Sequence, residues 1–355
     1  MPDWKELERQ MKRTEKVRMA FGPVKRKAVP IFEDCVNYPT DQIVALANLS
    51  RSIEAEEYGS DTEAKISQFQ KMLDEIQPVA NPKPRIYLWE EGNLPILTEY
   101  TDPADYRYCH GPEFRPYMLE MLLPQEVQPK GAVILCAGGD HGDAVVAEAY
   151  QSALDFNEMG YQCFVLLNRV NHNPWTAQEA GVDAARAVRM VRRDAEKYRV
   201  SPRRIAFAGF SNGGLTGEGL LEDYSGSQKV VDVFPSYQPD ALDEVDATPD
   251  VFLCVYGPRF EGGEFDYQGV EYPPTFFAVG REDTAMANLR YTVPDLIQHG
   301  VEVEVHTFAG VPHGQAGARI LTGEPKYPSF ELWLPLADAF LQDVYRKKEE
   351  TVTAL

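Results

Sequence analysis

Ile205-Ala206-Phe207-Ala208-Gly209-Phe210-Ser211-Asn212-Gly213-Gly214 runs from a continuous apolar segment into a glycine-flanked serine. Apolar residues without polar alternation predict a strand buried on both faces. Helix-compatible residues follow, so Gly209-x-Ser211-x-Gly213 falls between a strand and a helix. A serine nucleophile needs such a place. It must sit on a sharp strand-to-helix turn with its hydroxyl exposed, and flanking glycines remove side chains that would clash there. The plainer alternative is a glycine-rich turn with a helix-capping serine. The strand before and the helix after tell against it.

Working outward, the pattern around this stretch alternates between strand and helix. Short strands are predicted at Ile86–Trp89 and Tyr117–Leu123, and buried strands at Ala132–Cys136, Cys163–Leu167, Val251–Tyr256, Thr275–Val279 and Val301–Phe308. Helices are predicted over Ala144–Met159, Ala180–Tyr198 and Leu332–Tyr345. Strands alternating with helices imply a mostly parallel sheet covered on both faces. The early strands lack intervening helices, which argues against a closed barrel.

A nucleophilic serine needs a base and an acid. His313 lies in Ala309-Gly310-Val311-Pro312-His313-Gly314, just past a strand. Ligands in open α/β sheets bind at the carboxyl ends of strands. Asp283 follows the strand Thr275–Val279 in Gly280-Arg281-Glu282-Asp283-Thr284, with Glu282 as its competitor. The order is Ser, Asp, His. His299 reads as a helix cap and His306 as a strand residue, while His110 and His172 lie in irregular segments. Backbone donors for an oxyanion are expected from Gly139 and Asp140, in Ala137-Gly138-Gly139-Asp140-His141-Gly142, and from Asn212 after the nucleophile. His141 and the loop carrying Tyr256 and Phe260 are the candidates for lining a substrate pocket.

The first ~80 residues differ from the rest. Asp3, Thr40 and Asp61 can open three helices, with apolar stripes at Trp4, Leu7 and Met11, then Ile43, Leu46 and Ala47, then Ile66, Phe69, Leu73 and Ile76. Pro78-Val79-Ala80-Asn81-Pro82-Lys83-Pro84 stops helix formation and reads as a linker. Residues 1–80 are therefore expected as a helical extension and 81–355 as one catalytic domain.

Composition narrows the partners. Across 355 residues, 35 basic and 55 acidic side chains give a formal charge of −20. That argues against nucleic acid and anionic membranes, whose phosphates need a basic face. No apolar run approaches the ~18 residues of a membrane span. The start, Met-Pro-Asp-Trp-Lys-Glu, has no apolar core of a signal peptide. Five cysteines form no CxxC pair and an odd number suits no disulfide framework, so reduced thiols and a cytoplasmic location are expected. There is no HExxH, no paired Cys/His spacing and no G-x-G-x-x-G, so neither a metal nor a cofactor is expected.

With these residues in hand, the chain resembles the α/β-hydrolase superfamily. Within it, the chain is similar to the bacterial carbohydrate-esterase branch, acetyl-xylan-esterase-like proteins related to hormone-sensitive-lipase-type esterases. The resemblance spans about residues 86–313. It rests on Ala137-Gly138-Gly139, Gly209–Gly214, the Asp283/His313 pair, Val165–Val170, Ser201–Ile205 and Tyr237-Gln238-Pro239-Asp240. Members usually carry a third glycine and an aromatic where this chain has Asp140 and His141, and alanine where it has Asn212. The resemblance implies an α/β-hydrolase fold and a serine ester hydrolase that forms an acyl-enzyme on short acyl esters, such as acetylated sugars. It implies a small-molecule ester substrate, and by analogy an N-terminal lid or a homodimer contact. A serine peptidase on the same fold and a non-catalytic binding protein are the alternative readings.

Overall fold

The computed structural model describes residues 4–55, 58–95, 114–139, 146–170, 177–260 and 262–353. Its strands are β1 (Arg85–Tyr87), β2 (Tyr117–Met121), β3 (Ala132–Cys136), β4 (Gln162–Leu167), β5 (Ile205–Phe210), β6 (Val251–Val255), β7 (Thr275–Gly280) and β8 (Val303–Phe308). They form one sheet in the order β1-β2-β4-β3-β5-β6-β7-β8. β1 and β2 are antiparallel to their neighbours, and the rest are parallel.

The parallel centre follows from its side chains. Every residue of β3, β4, β5, β6 and β7 is buried, as continuous apolar runs require when helices cover both faces. Fully burying a Val, Leu, Ile or Phe contributes roughly 1.5–3 kcal/mol, so this layer carries much of the stability. β8 lies at the edge and buries only Phe308 fully, which corrects the reading of Val301–Phe308 as a buried strand: an edge strand has a neighbour on one side alone.

The helices are α1 (Trp4–Glu33), α2 (Thr40–Ala55), α3 (Ser60–Glu75), α4 (Val146–Glu158), α5 (Ala177–Arg193), α6 (Asn212–Tyr224), α7 (Val230–Val233), α8 (Leu289–Gln298), α9 (Ala318–Thr322) and α10 (Trp333–Thr353). α5 and α6 cross closely: a Cβ at Gly181 would lie 2.7 Å from the carbonyl carbon of Gly219. Trp333 of α10 packs edge-on against Phe156 of α4 and Phe210 of β5.

β3 sits between β4 and β5, so the chain winds one way from β3 to β4 and the other way from β5 onward. A crevice opens at the carboxyl ends of strands where winding reverses. The Gly138 loop leaves β3 there, and Ser211 leaves β5.

The N-terminal helices are built into the body of the molecule. Val17, Phe21, Leu46, Ile53, Phe69 and Leu73 belong to the same buried cluster as the sheet. Phe21 meets Phe69 edge-on at 5.0 Å. α2 packs against α9, and the turn Cys35–Asn37 packs against α4. The proline-rich segment after α3 ends the helix as expected, but it is strapped down. The Lys83 N–H donates to Asn37 Oδ1 at 2.6 Å, and Asn37 Nδ2 donates to the Lys83 carbonyl at 2.9 Å. α1 continues through Pro23 and Pro30 to Glu33. Two details differ from expectation. Thr40 is the first residue of α2 rather than its cap. α3 opens at Gly59, whose N–H donates to Thr62 Oγ1, with Asp61 inside the first turn. The stripe Trp4, Leu7 and Met11 lies outside the described side chains. Among the described residues no helix is long and apolar enough to cross a membrane.

Candidate active site

Ser211 closes β5 and precedes α6 with φ 52° and ψ −119°, a conformation that L-residues other than glycine rarely adopt. Such backbone costs of order 1–3 kcal/mol and persists only where the surroundings enforce it. Here they do. The Ser211 N–H donates to the Val255 carbonyl at 3.0 Å, and the Gly214 N–H donates to the Ser211 carbonyl at 2.8 Å. The turn is also too tight for side chains. A Cβ at Gly209 would stand 2.2 Å from the Gly213 oxygen, and one at Gly213 would stand 2.1 Å from the Cys136 oxygen.

His313 reaches this turn from the loop after β8. Ser211 Oγ is 2.8 Å from His313 Nε2, and His313 Nδ1 is 2.7 Å from Asp283 Oδ2. The other carboxylate oxygen of Asp283 accepts the Ala285 N–H at 2.8 Å. The two loops are stitched together: the Arg281 N–H donates to the Phe308 carbonyl and the Glu282 N–H to the Val311 carbonyl. The Asp283 side chain is 0% exposed and the His313 ring 46% exposed. An acid shielded from water and a base open to it is the polarity that proton transfer at the serine requires. Glu282, the competing acid, is exposed. His299 caps α8, and His306 pairs with Glu304 on β8.

Of the expected oxyanion donors, Asn212 is the first residue of α6, where N–H groups point out of the helix end and favour negative charge. Gly139 has φ 148°, and a Cβ on its neighbour Gly138 would lie 2.6 Å from Ser211 Cβ, so this loop abuts the nucleophile. Asp140 and His141 lie outside the described residues, as do His110 and His172.

Of the expected pocket residues, Tyr256 and Phe260 are among those described. Tyr256, at φ 42°, is 2% exposed. Its ring packs edge-on against the His313 imidazole with centroids 5.0 Å apart. Burial makes it a support behind the base, and this corrects its reading as a pocket wall. Phe260 is 59% exposed on the loop after β6. Its neighbour Arg259 anchors that loop, bonding to Tyr267 at 2.9 Å and to Asp295 of α8 and packing over the Phe265 ring.

One residue beside the site escaped the sequence. Glu148 of α4 is buried; its Oε2 accepts the Gly138 N–H at 3.0 Å, and its Oε1 accepts the Tyr256 hydroxyl at 2.9 Å. Burial pushes its carboxyl above the usual range, against the pull of Gly138, Tyr256 and His313. Its only signal in the sequence is an acid between Ala147 and Ala149, and an exposed face would explain that equally well. A cavity of about 670 Å³ bordered by Arg189, Tyr224, Lys229 and Asp243 lies at the far end of α6 from Ser211.

The arrangement can remove a proton from a strained serine and stabilise the imidazolium that results. No family model matches the chain, and no curated protein matches it in sequence. Solved structures do. An acetyl ester-xyloside bifunctional hydrolase from Caldicellulosiruptor lactoaceticus is 25% identical with a TM-score of 0.54, over 73% of this chain and 96% of that one. An α/β-hydrolase enzyme from a Medee basin deep-sea metagenome library is 19% identical with a TM-score of 0.54, over 74% and 97%. A thermophilic esterase from Thermogutta terrifontis, solved with propionate bound, is 17% identical with a TM-score of 0.54, over 74% and 94%. The fold is that of the α/β-hydrolases.

Proposed function

We propose that this chain is a serine carboxylic ester hydrolase that works through an acyl-enzyme on short-chain acyl esters. The observation that carries the reading is the hydrogen-bonded series Ser211–His313–Asp283 on a strained turn at the switch point of the sheet. His313 takes the Ser211 proton as Oγ attacks the ester carbonyl. In this reading the oxyanion is met by the N–H groups of Asn212 and Gly139, with Asp140 as the further donor expected from the sequence. The tetrahedral intermediate expels the alcohol, which takes the proton from His313. Water, deprotonated by the same histidine, then attacks the acyl-enzyme and releases the acid. Asp283 holds the imidazole in the tautomer this needs and stabilises its charged form. No step calls for a cofactor.

Acetylated sugars or oligosaccharides are the favoured substrates. The name of the Caldicellulosiruptor hydrolase, which includes both an acetyl ester and a xyloside, supports that choice. The four described cysteines are buried and unpaired, which supports a reducing, cytoplasmic setting. α2 packs on α9, and α9 begins five residues after His313, which supports a lid role for the N-terminal helices.

The test is a panel of acyl-length p-nitrophenyl esters, acetylated xylo-oligosaccharides and matched amides. Ester turnover falling with acyl length, little amide turnover and one fluorophosphonate bound per chain are expected. Ser211→Ala should abolish labelling and cost on the order of a millionfold in turnover. Activity of that variant within tenfold of the parent overturns the mechanism.

A further inference from the structure

Glu148 belongs to α4, yet it joins the loops that follow β3 and β6. Through Oε2 it holds the Gly138 amide, next to Gly139 in the loop beside the nucleophile. Through Oε1 it holds the hydroxyl of Tyr256, whose ring supports His313. Tyr256 in turn accepts the Ala316 N–H at 3.3 Å, three residues beyond His313.

The directions of these bonds are fixed by chemistry. A backbone N–H can only donate, so Gly138 donates to Oε2 and Ala316 donates to the tyrosine oxygen. The tyrosine hydroxyl donates its one proton to Oε1, 2.9 Å away. Both carboxyl oxygens therefore accept, which is the ionised pattern. A neutral amide in this place would turn one donor towards Gly138 or Tyr256. Gly317 packs tightly on α4 at this point, since a Cβ there would stand 2.8 Å from the Glu148 nitrogen. Among the described residues, the titratable groups that act on Glu148 or feel its charge are Tyr256, His313 and the buried Cys136 of β3, with Asp283 acting on Tyr256 from beyond the histidine.

We infer that Glu148 is a positioning residue for ester hydrolysis, an anion that fixes the glycine loop and, through Tyr256, the histidine loop on either side of Ser211. The inference rests on the ester-hydrolase reading. It goes beyond the serine, histidine and aspartate, because the anion lies behind the site and touches no reacting atom. Its charge favours the imidazolium formed when His313 accepts the serine proton. Its hydrogen bonds fix the loop that supplies an oxyanion donor before substrate arrives.

The experiment compares Glu148→Gln, Tyr256→Phe and their double variant with the parent on one short-chain ester. For Glu148→Gln the expected result is a fall in kcat of about ten- to a hundredfold with KM within about twofold, as for an interaction made in the transition state. The acidic limb of the kcat/KM profile should move to lower pH, because removing a nearby anion makes the imidazole harder to protonate. Tyr256→Phe should lower kcat less, and the double variant should lose less than the product of the two, because the residues form one network. Fluorophosphonate titration counts the folded sites in each variant. A kcat within twofold for both single variants, or losses that only track the titrated fraction with an unmoved acidic limb, overturns the inference. Either result leaves the ester-hydrolase reading standing if Ser211→Ala is inactive, whereas an active Ser211→Ala overturns both.

Discussion

Asp283 and Glu282 are neighbours with the same chemistry, and their surroundings separate them. The Asp283 side chain is fully shielded and bonded at both oxygens, to His313 and to the Ala285 N–H. Glu282 is exposed and reaches the histidine loop only through its backbone N–H. An amide in place of Asp283 would present a donor to Nδ1 and favour the wrong tautomer. Asp283→Asn should therefore cost on the order of 10⁴-fold in kcat. Glu282→Gln should stay within threefold. Steady-state kinetics on one ester decides it, and the reverse ranking would reassign the acid.

The turn between β5 and α6 depends on missing side chains. Gly213 touches the end of β3 and Gly209 touches Gly213, so the strand, the helix and the neighbouring strand converge with no room for a methyl group. Gly213→Ala forces a carbon against the Cys136 carbonyl, which is backbone and cannot rotate away. Overpacking of this kind costs typically about 1–3 kcal/mol, and rigid surroundings place it at the upper end. Chemical denaturation should show that loss, and activity should fall with it because the same shift moves Ser211. Gly300→Ala is the control for backbone strain alone, since its φ is 78° but nothing stands within 4 Å of the added carbon. It should be destabilised by less and remain active.

The three N-terminal helices share one apolar core with the sheet. The stripes of α2 and α3 pack against the rest of the same chain, which supports the proposed lid role over a dimer contact. Removal of residues 1–80 would strip Leu46 and Ile53 from their partners and bare the faces of α4 and α9. The truncated protein should melt at lower temperature and bind a hydrophobic dye. Its acyl-length preference should broaden, while its labelling by a small fluorophosphonate persists. Light scattering checks the alternative: a mass that halves on truncation would make the extension a dimer contact. Unaltered stability, mass and kinetics would make it a detachable module.

The chain's order of elements and the identities of Ser211, Asp283 and His313 are local properties. Each of the three follows the carboxyl end of a strand; β5 and β7 are buried and announce themselves as apolar runs, while β8 is an edge strand of mixed sequence. Boundaries shifted by a few residues, as at Ala180–Tyr198 against Ala177–Arg193, because end residues gain their last hydrogen bonds from neighbours rather than from propensity. Tyr256 was legible as a residue near the site but not in its role. Whether a tyrosine lines a pocket or backs a histidine depends on which way a strained backbone aims it. Glu148 was not legible, because its meaning arises from Tyr256, 108 residues away, and from the Gly138 amide. The sequence alone narrowed the candidates to Ser211, His313 and an acid among Glu282 and Asp283, since a nucleophile, a base and an acid are limited by residue type and by the strand ends that carry them. Only the tertiary structure decided what holds those atoms in place, because a buried carboxylate takes its charge state and its bonds from groups that meet it when the sheet and helices close.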